Sequence, residues 1–109
     1  MYYVRISLMT PKSGHEAEAA AIIDDLLGFY QQQPGFVTGY KLASADEKGE
    51  MGRVTVWRSE HEAEAAAQSN HNLSRRAELI PIVTDDDERS FHAADQSTEL
   101  MRMVEGLRR

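Results

Sequence analysis

The chain has 109 residues, of which 41% are hydrophobic and 28% charged, with a formal net charge of −6 and a pI near 5.1. That length suits one domain with a modest core. The acidic balance argues against nucleic acid or an anionic membrane surface as partner, because phosphate recognition needs a basic face. No apolar run approaches the roughly 20 residues of a membrane span. There is no cysteine, so disulfide and thiolate chemistry are excluded. Without a basic lead or a long apolar stretch at the start, the chain reads as cytoplasmic.

Residues 2–10 read as a strand. Val4, Ile6 and Leu8 form one row, and Tyr3, Arg5, Ser7 and Met9 the other. Pro11 is expected to break the ladder. Ser13 and Glu16 have the spacing of a capping box, so a helix is expected to run to about Gln32 with Ala19, Ile22, Ile23, Leu26, Leu27 and Tyr30 inward. Pro34-Gly35 ends it. Residues 36–45 and 51–58 read as two strands joined by the polar turn 46–50.

Ser59 and Glu62 form a second capping box, which starts a second helix. This helix is interrupted near Asn70-His71-Asn72 and resumes to about Leu79. Pro81 and the acidic run Asp85-Asp86-Asp87-Glu88 read as a solvated loop. Residues 89–94 are expected to be the fourth strand. A last helix spans 97–107, with Leu100, Met103, Val104 and Leu107 on one face.

The heptapeptide His-Glu-Ala-Glu-Ala-Ala-Ala occurs at residues 15–21 and again at 61–67. A helical zinc motif needs a second imidazole four residues on. Those positions are Ala19 and Ala65, so no metal is expected. The repeat instead marks a helix start in two similar halves. The order β-α-β, β-α-β implies a ferredoxin-like α+β sandwich, with a four-stranded antiparallel sheet and its helices on one face. The domain would cover 1–94, with residues 95–109 as a C-terminal helical extension. The other sheet face would carry an apolar patch that a second copy of the chain is expected to cover.

Three stretches give this pattern a likeness. They are Pro34-Gly35-Phe36 opening strand two, Val54-Thr55-Val56-Trp57-Arg58-Ser59 leading into helix two, and Ser69-Asn70-His71. Together they resemble the antibiotic biosynthesis monooxygenase family over about residues 2–94. The resemblance implies a dimeric α+β barrel with a pocket between each sheet and its helices. It also implies one of two activities: cofactor-free oxygenation of anthrones and quinols, or haem degradation. At positions matching the Asn, Trp and His of the haem-degrading branch the chain has Ser7, Ala66 and Arg76, so haem degradation is disfavoured. The anthrone oxygenases place an Asn four residues before the strand-three Trp and a Tyr six after it. Here those residues are Arg53 and Ala63.

Oxygenation without metal or flavin asks for an electron-rich phenol, quinol or enol whose anion reduces O₂ itself. The protein supplies a water-poor cavity, donors for the anion and a proton acceptor. The expected site therefore has Trp57 lining the pocket, Arg5, Arg53 and Ser7 binding the substrate, and His71 as acid/base, with no cofactor. By parity Tyr3, Arg5, Ser7, Arg53, Thr55 and Trp57 share one sheet face. Hydrophobicity alone would turn the Val4/Ile6/Leu8 row toward the helices, whereas the resemblance turns the Trp57 row there. The alternative function is a non-catalytic dimeric module that binds a small aromatic ligand.

Overall fold

Alternating side chains and β-branched residues build the sheet. The computed structural model describes residues 1–46, 48–94 and 98–107, without the side chains of 98–101. In it β1 spans Tyr2–Pro11, β2 Phe36–Ala43, β3 Met51–Trp57 and β4 Val83–Ala93. Their order is β2-β3-β1-β4, and every neighbouring pair is antiparallel. Helix α1 (Glu16–Tyr30) packs on β2 and β3, α2 (Glu60–Ala67) packs on β3, and α3 (Asn70–Leu79) packs on α1. A 3-10 turn at Ile80–Ile82 leads into β4, and α4 (Thr98–Leu107) ends the described chain. This is the ferredoxin-like α+β architecture that the strand and helix order implies. Among the described residues no helix is long and apolar enough to cross a membrane.

The core lies between the sheet and α1–α3. Ile23 and Leu26 of α1, Met9 of β1 and Trp57 of β3 are its largest fully buried side chains. At the sheet centre the β1 backbone crosses β3 so closely that a Cβ on Gly52 would lie 1.9 Å from the Ser7 carbonyl oxygen. A side chain there has no room.

The face beneath the helices belongs to the Trp57 row. Tyr3, Ser7, Arg53, Thr55 and Trp57 are all buried. Val4, Ile6, Leu8, Val54 and Val56 turn the other way and are half-buried. That outer face also carries Tyr40, 61% exposed, and Phe91, 43% exposed. Among the described residues of α4, Val104 and Leu107 are exposed as well. Leu100, expected in the same stripe, lies outside the described side chains. The expected boundary at residue 94 adjoins residues 95–97, which lie outside the described residues.

Expectations are corrected in two places, the β1–β4 ladder and the repeated heptapeptide. The acidic run is part of β4, not a loop. The β1–β4 register shifts between Leu8 and Thr10, and Asp85 takes φ +56 at that bulge. Alternate acids of the run, Asp86 and Glu88, find Arg76, which offsets the ordinary aversion of carboxylates to strands. Pro11 does not end the ladder early, since it still faces Val83 as the last residue of β1.

The second correction concerns the repeated heptapeptide. Ser59 does cap α2: its Oγ accepts from the Glu62 amide at 3.2 Å and donates to Glu62 Oε1 at 3.0 Å. Ser13 does not cap α1. Gly14 sits at φ +86, a turn in which the His15 amide donates to the Lys12 carbonyl at 2.9 Å, and His15 becomes the N-cap with no side-chain bond. The interruption after α2 is a third cap, with Ser69 Oγ accepting from the Asn72 amide at 3.2 Å. Ser59→Ala is therefore expected to lower unfolding free energy by about 1 kcal/mol in denaturant melts. Ser13→Ala is expected to stay within about 0.5 kcal/mol of the parent. Equal losses at both serines would contradict the asymmetry.

Candidate active site

The β1–β3 register assembles the site. Tyr3 stands opposite Trp57, Arg5 opposite Thr55, and Ser7 opposite Arg53. Strand side chains alternate, so all six face the helices together. Arg5 and Ser7 from β1, and Arg53, Thr55 and Trp57 from β3, line a small cavity. Tyr30 of α1 and Ala63 and Ala67 of α2 close it from above. The cavity volume is about 10 Å³, room for about one water molecule.

Trp57 is 2% exposed. Its ring packs edge-on against Tyr30 and Phe36, with centroids 5.8 and 5.5 Å away. Its indole N–H donates to Thr55 Oγ1 at 2.9 Å, so the tryptophan offers a wall and not a donor. Tyr30 is fixed in turn. Asn72 Nδ2 donates to the Ala67 carbonyl at 2.8 Å, which orients the amide so that its Oδ1 accepts from the Tyr30 hydroxyl.

The two arginines differ. Arg5 is held on all sides: its Nη2 lies 2.5 Å from Glu64 Oε1 and 3.1 Å from the Tyr3 hydroxyl, and its Nε 3.5 Å from Glu88 Oε1. Burial works against its charge, but the hydrogen bond to Glu64, with Tyr3 and Glu88, raises its pKa above the ordinary value. Arg53 is 5% exposed and lies over the Tyr30 ring, 5.6 Å from the centroid. Its Nη1 is buried and has no hydrogen-bond partner among the described residues. An unpaired buried guanidinium N–H is costly.

Glu88 is the hub on the β4 side. It takes Ser7 Oγ at 3.3 Å and Arg76 Nη1 at 2.8 Å, while Arg76 Nη2 reaches Asp86 at 3.1 Å. Burial would raise the Glu88 pKa. The Arg76 hydrogen bond, with the charges of Arg76, Arg5 and Arg53, holds it below the ordinary carboxylate range instead.

The structure thus brings together Arg5, Ser7, Arg53 and Trp57. It does not bring His71 to them. His71 stands on α3, its Nε2 2.7 Å from Asp25 Oδ2 and its ring stacked on Phe29 with centroids 4.5 Å apart. It is half-exposed and shares Asp25 with Arg75. The Ser69 cap sets the phase of α3 so that Asn72, 2% exposed, faces inward and the adjacent His71 does not. Tyr30, Asn72, Glu64 and Glu88 were not among the expected site residues. Tyr30 reads in sequence as one more member of the α1 apolar stripe, and Glu88 is visible only once its run is placed on a strand.

A second, larger cavity of about 270 Å³ lies between Gln33-Pro34 and the first turns of α2, at His61, Glu62, Ala65 and Ala66. Among the described residues, no buried side-chain atom without a hydrogen-bond partner lines it.

Comparison with known proteins now fixes the lineage. The family described as "Antibiotic biosynthesis monooxygenase" matches residues 1–74. The chain belongs to the antibiotic biosynthesis monooxygenase family. None of the curated proteins matches it. Among solved structures it is similar to SnoaB, a cofactor-independent oxygenase from Streptomyces nogalater, at 21% identity and TM-score 0.76, covering 90% of this chain and 98% of that one. It is also similar to Rv0793 from Mycobacterium tuberculosis, at 18% identity and TM-score 0.80 over 90% and 100% of the two chains. A third, from Methanosarcina mazei Go1, shares 9% identity with TM-score 0.80 over 86% and 94%. At these identities the structural likeness speaks for the fold.

The Glu88 hub has a pH signature. A carboxylate whose folded pKa lies below its unfolded value stabilises the fold above the unfolded value, near 4.5, and that share is lost as pH falls through the folded one. Thermal midpoints should therefore fall below about pH 4.5 in the parent. Glu88→Gln should cost about 1 kcal/mol at pH 7, after allowance for solvent screening, and flatten the acid limb. An unchanged acid limb in that variant would show that Glu88 does not carry it.

Proposed function

We propose that the chain is a cofactor-independent monooxygenase acting on the anion of a small hydroxyaromatic compound, of quinol or anthrone type. The observation that carries this reading is the unpaired, buried Nη1 of Arg53 at the cavity walled by Trp57. Family membership and the SnoaB fold supply the reaction class.

The chemistry balances without a reductant. A ring carbon bearing two hydrogens loses one proton to solvent, and the anion is held by the Arg53 cation. The anion gives an electron to O₂, and the resulting radical pair joins as a carbon–oxygen bond. The peroxide takes up a proton and loses water, which leaves a ketone. One oxygen atom stays in the product and the other leaves as water, so the substrate supplies all four electrons. The protein's share is to stabilise the anion and keep water away. Arg5 stands at the rim bound to half-exposed Glu64, so a ring is admitted when these two part.

Metal-free protein is expected to consume O₂ with 1,4-dihydroxynaphthalene or anthrone, followed with an oxygen electrode. Absence of uptake across a panel of quinols and anthrones would defeat this assignment. It would favour a second reading, a ligand-binding module without turnover, which the small cavity volume and the distance of His71 support.

We also propose that the outer sheet face pairs with a second copy of the chain. The half-buried row Val4, Ile6, Leu8, Val54 and Val56, with exposed Tyr40 and Phe91, is a continuous apolar surface of the kind that oligomers cover. Light scattering at micromolar concentration is expected to give a dimer, and Ile6→Lys a monomer. A monomeric parent would overturn this part.

A further inference from the structure

We infer that the site selects ligands already carrying one negative oxygen at neutral pH, and that Arg53 Nη1 is the group that reads that charge. This deepens the proposed function, since it rests on the same cavity being the ligand site.

Three observations lead there. First, no base lines the cavity among the described residues, neither an imidazole nor a carboxylate. The nearest carboxylates are engaged: Glu64 by Arg5, and Glu88 by Arg76, Arg5 and Ser7. His71 is occupied with Asp25 on the far side of α3. The Tyr30 hydroxyl donates to Asn72, whose amide is itself fixed by the Ala67 carbonyl. Nothing at the site is free to take a proton from a neutral phenol of ordinary acidity.

Second, one donor group is left over among the described residues. Arg5 and Arg76 find partners in Glu64, Glu88 and Asp86. Arg53 finds none for Nη1. Both N–H groups of that nitrogen are left to be satisfied, and a negative oxygen is a stronger acceptor for them than a neutral one. Third, the surroundings raise the value of that contact. Arg53 is 95% buried, being 5% exposed, among Trp57, Tyr30 and alanine methyl groups, where a charge-assisted hydrogen bond is poorly screened. A neutral ligand oxygen would make only an ordinary hydrogen bond there.

The ligand class that follows is an aromatic carboxylate or an acidic enol, such as a hydroxyquinone. A neutral quinol is a weaker partner. Arg53 occupies the position at which the resemblance places a neutral asparagine, so this selectivity belongs to the present chain and not to the fold.

The test uses isothermal calorimetry on the full chain at pH 7 with 1-naphthoate, its neutral isostere 1-naphthamide, and 2-hydroxy-1,4-naphthoquinone as the enolate probe. Both anions are expected to bind at least about tenfold more tightly than the amide, the scale of one charge-assisted contact. Arg53→Gln should bring the anion-to-amide ratio within about twofold of unity, and Arg53→Lys, which keeps the charge, should retain a preference of several-fold. Thermal melts and far-ultraviolet circular dichroism should show all three proteins folded, which separates loss of charge reading from loss of fold. Equal affinity of naphthoate and naphthamide for the parent would refute the inference, as would failure of both anions to bind or a preference that survives Arg53→Gln. Oxygen uptake is recorded in parallel. Charge preference without uptake on any quinol or anthrone would sink the oxygenase reading and leave this inference standing. Uptake with no charge preference would do the reverse.

Discussion

The antiparallel register of β1 on β3 is the constraint on which the rest of the molecule depends. It sets Tyr3, Arg5 and Ser7 against Trp57, Thr55 and Arg53, and it does so because Gly52 lets the two backbones close at the sheet centre. A slip of one residue would send this row to the outer face and bring Val4, Ile6 and Leu8 under the helices. The result would be a better hydrophobic core and no site. The fold instead places a mixed row of arginines, hydroxyls and one indole beneath α1 and α2. Burial of that row has to be offset locally, by Thr55 for the Trp57 N–H, by Asn72 for the Tyr30 hydroxyl, and by Glu64 and Glu88 for Arg5. Arg53 Nη1 is where the compensation stops. Buried polar groups are ordinarily satisfied, and departures from that rule concentrate where a protein works.

Charge is distributed around this gap with a clear division of labour. Arg76, Asp86, Glu88, Arg5 and Glu64 form a chain of ion pairs from β4, across β1, to α2. Its members are all partly exposed, so each link adds little to stability by itself. Its effect is to position: it pins the edge strand β4 to α3 and fixes Arg5 over the rim. The same links make Arg5 an unsuitable ligand anchor, since a ligand has to displace Glu64 to reach it. Arg53, deeper and unpaired, has no such competitor. Two arginines that look equivalent on the sequence therefore differ in pairing and burial.

The strand and helix order, and the sheet face shared by Arg5, Ser7, Arg53 and Trp57, were legible in the sequence for a physical reason: period-2 alternation fixes which side chains travel together. Alternation does not say which row goes in. Hydrophobicity pointed to the Val4 row, and the family likeness correctly pointed to the Trp57 row, because a buried site violates the very pattern that hydrophobicity reads. The capping boxes show a similar limit. Ser13-x-x-Glu16 and Ser59-x-x-Glu62 are the same motif, yet a glycine at φ +86 after Ser13 changes the approach of the chain, and only Ser59 caps. His71 was misplaced through one unseen event, the Ser69 cap that restarts the helix and turns Asn72 inward. The acidic run of β4 was misread because its arginine partner, Arg76, is supplied by another element.

These corrections converge on how the present chain departs from the pattern of its family. The resemblance places an asparagine at the Arg53 position and a tyrosine at the Ala63 position, a neutral donor pair contributed by β3 and α2. Here the amide is replaced by a permanent cation, and the helix-two phenol by a methyl group. The phenol at the cavity is now Tyr30, which arrives from α1 and is held by Asn72. The replacement sets a permanent cation, where the resemblance expects a neutral donor, in a row whose place beneath the helices is fixed by the sheet register.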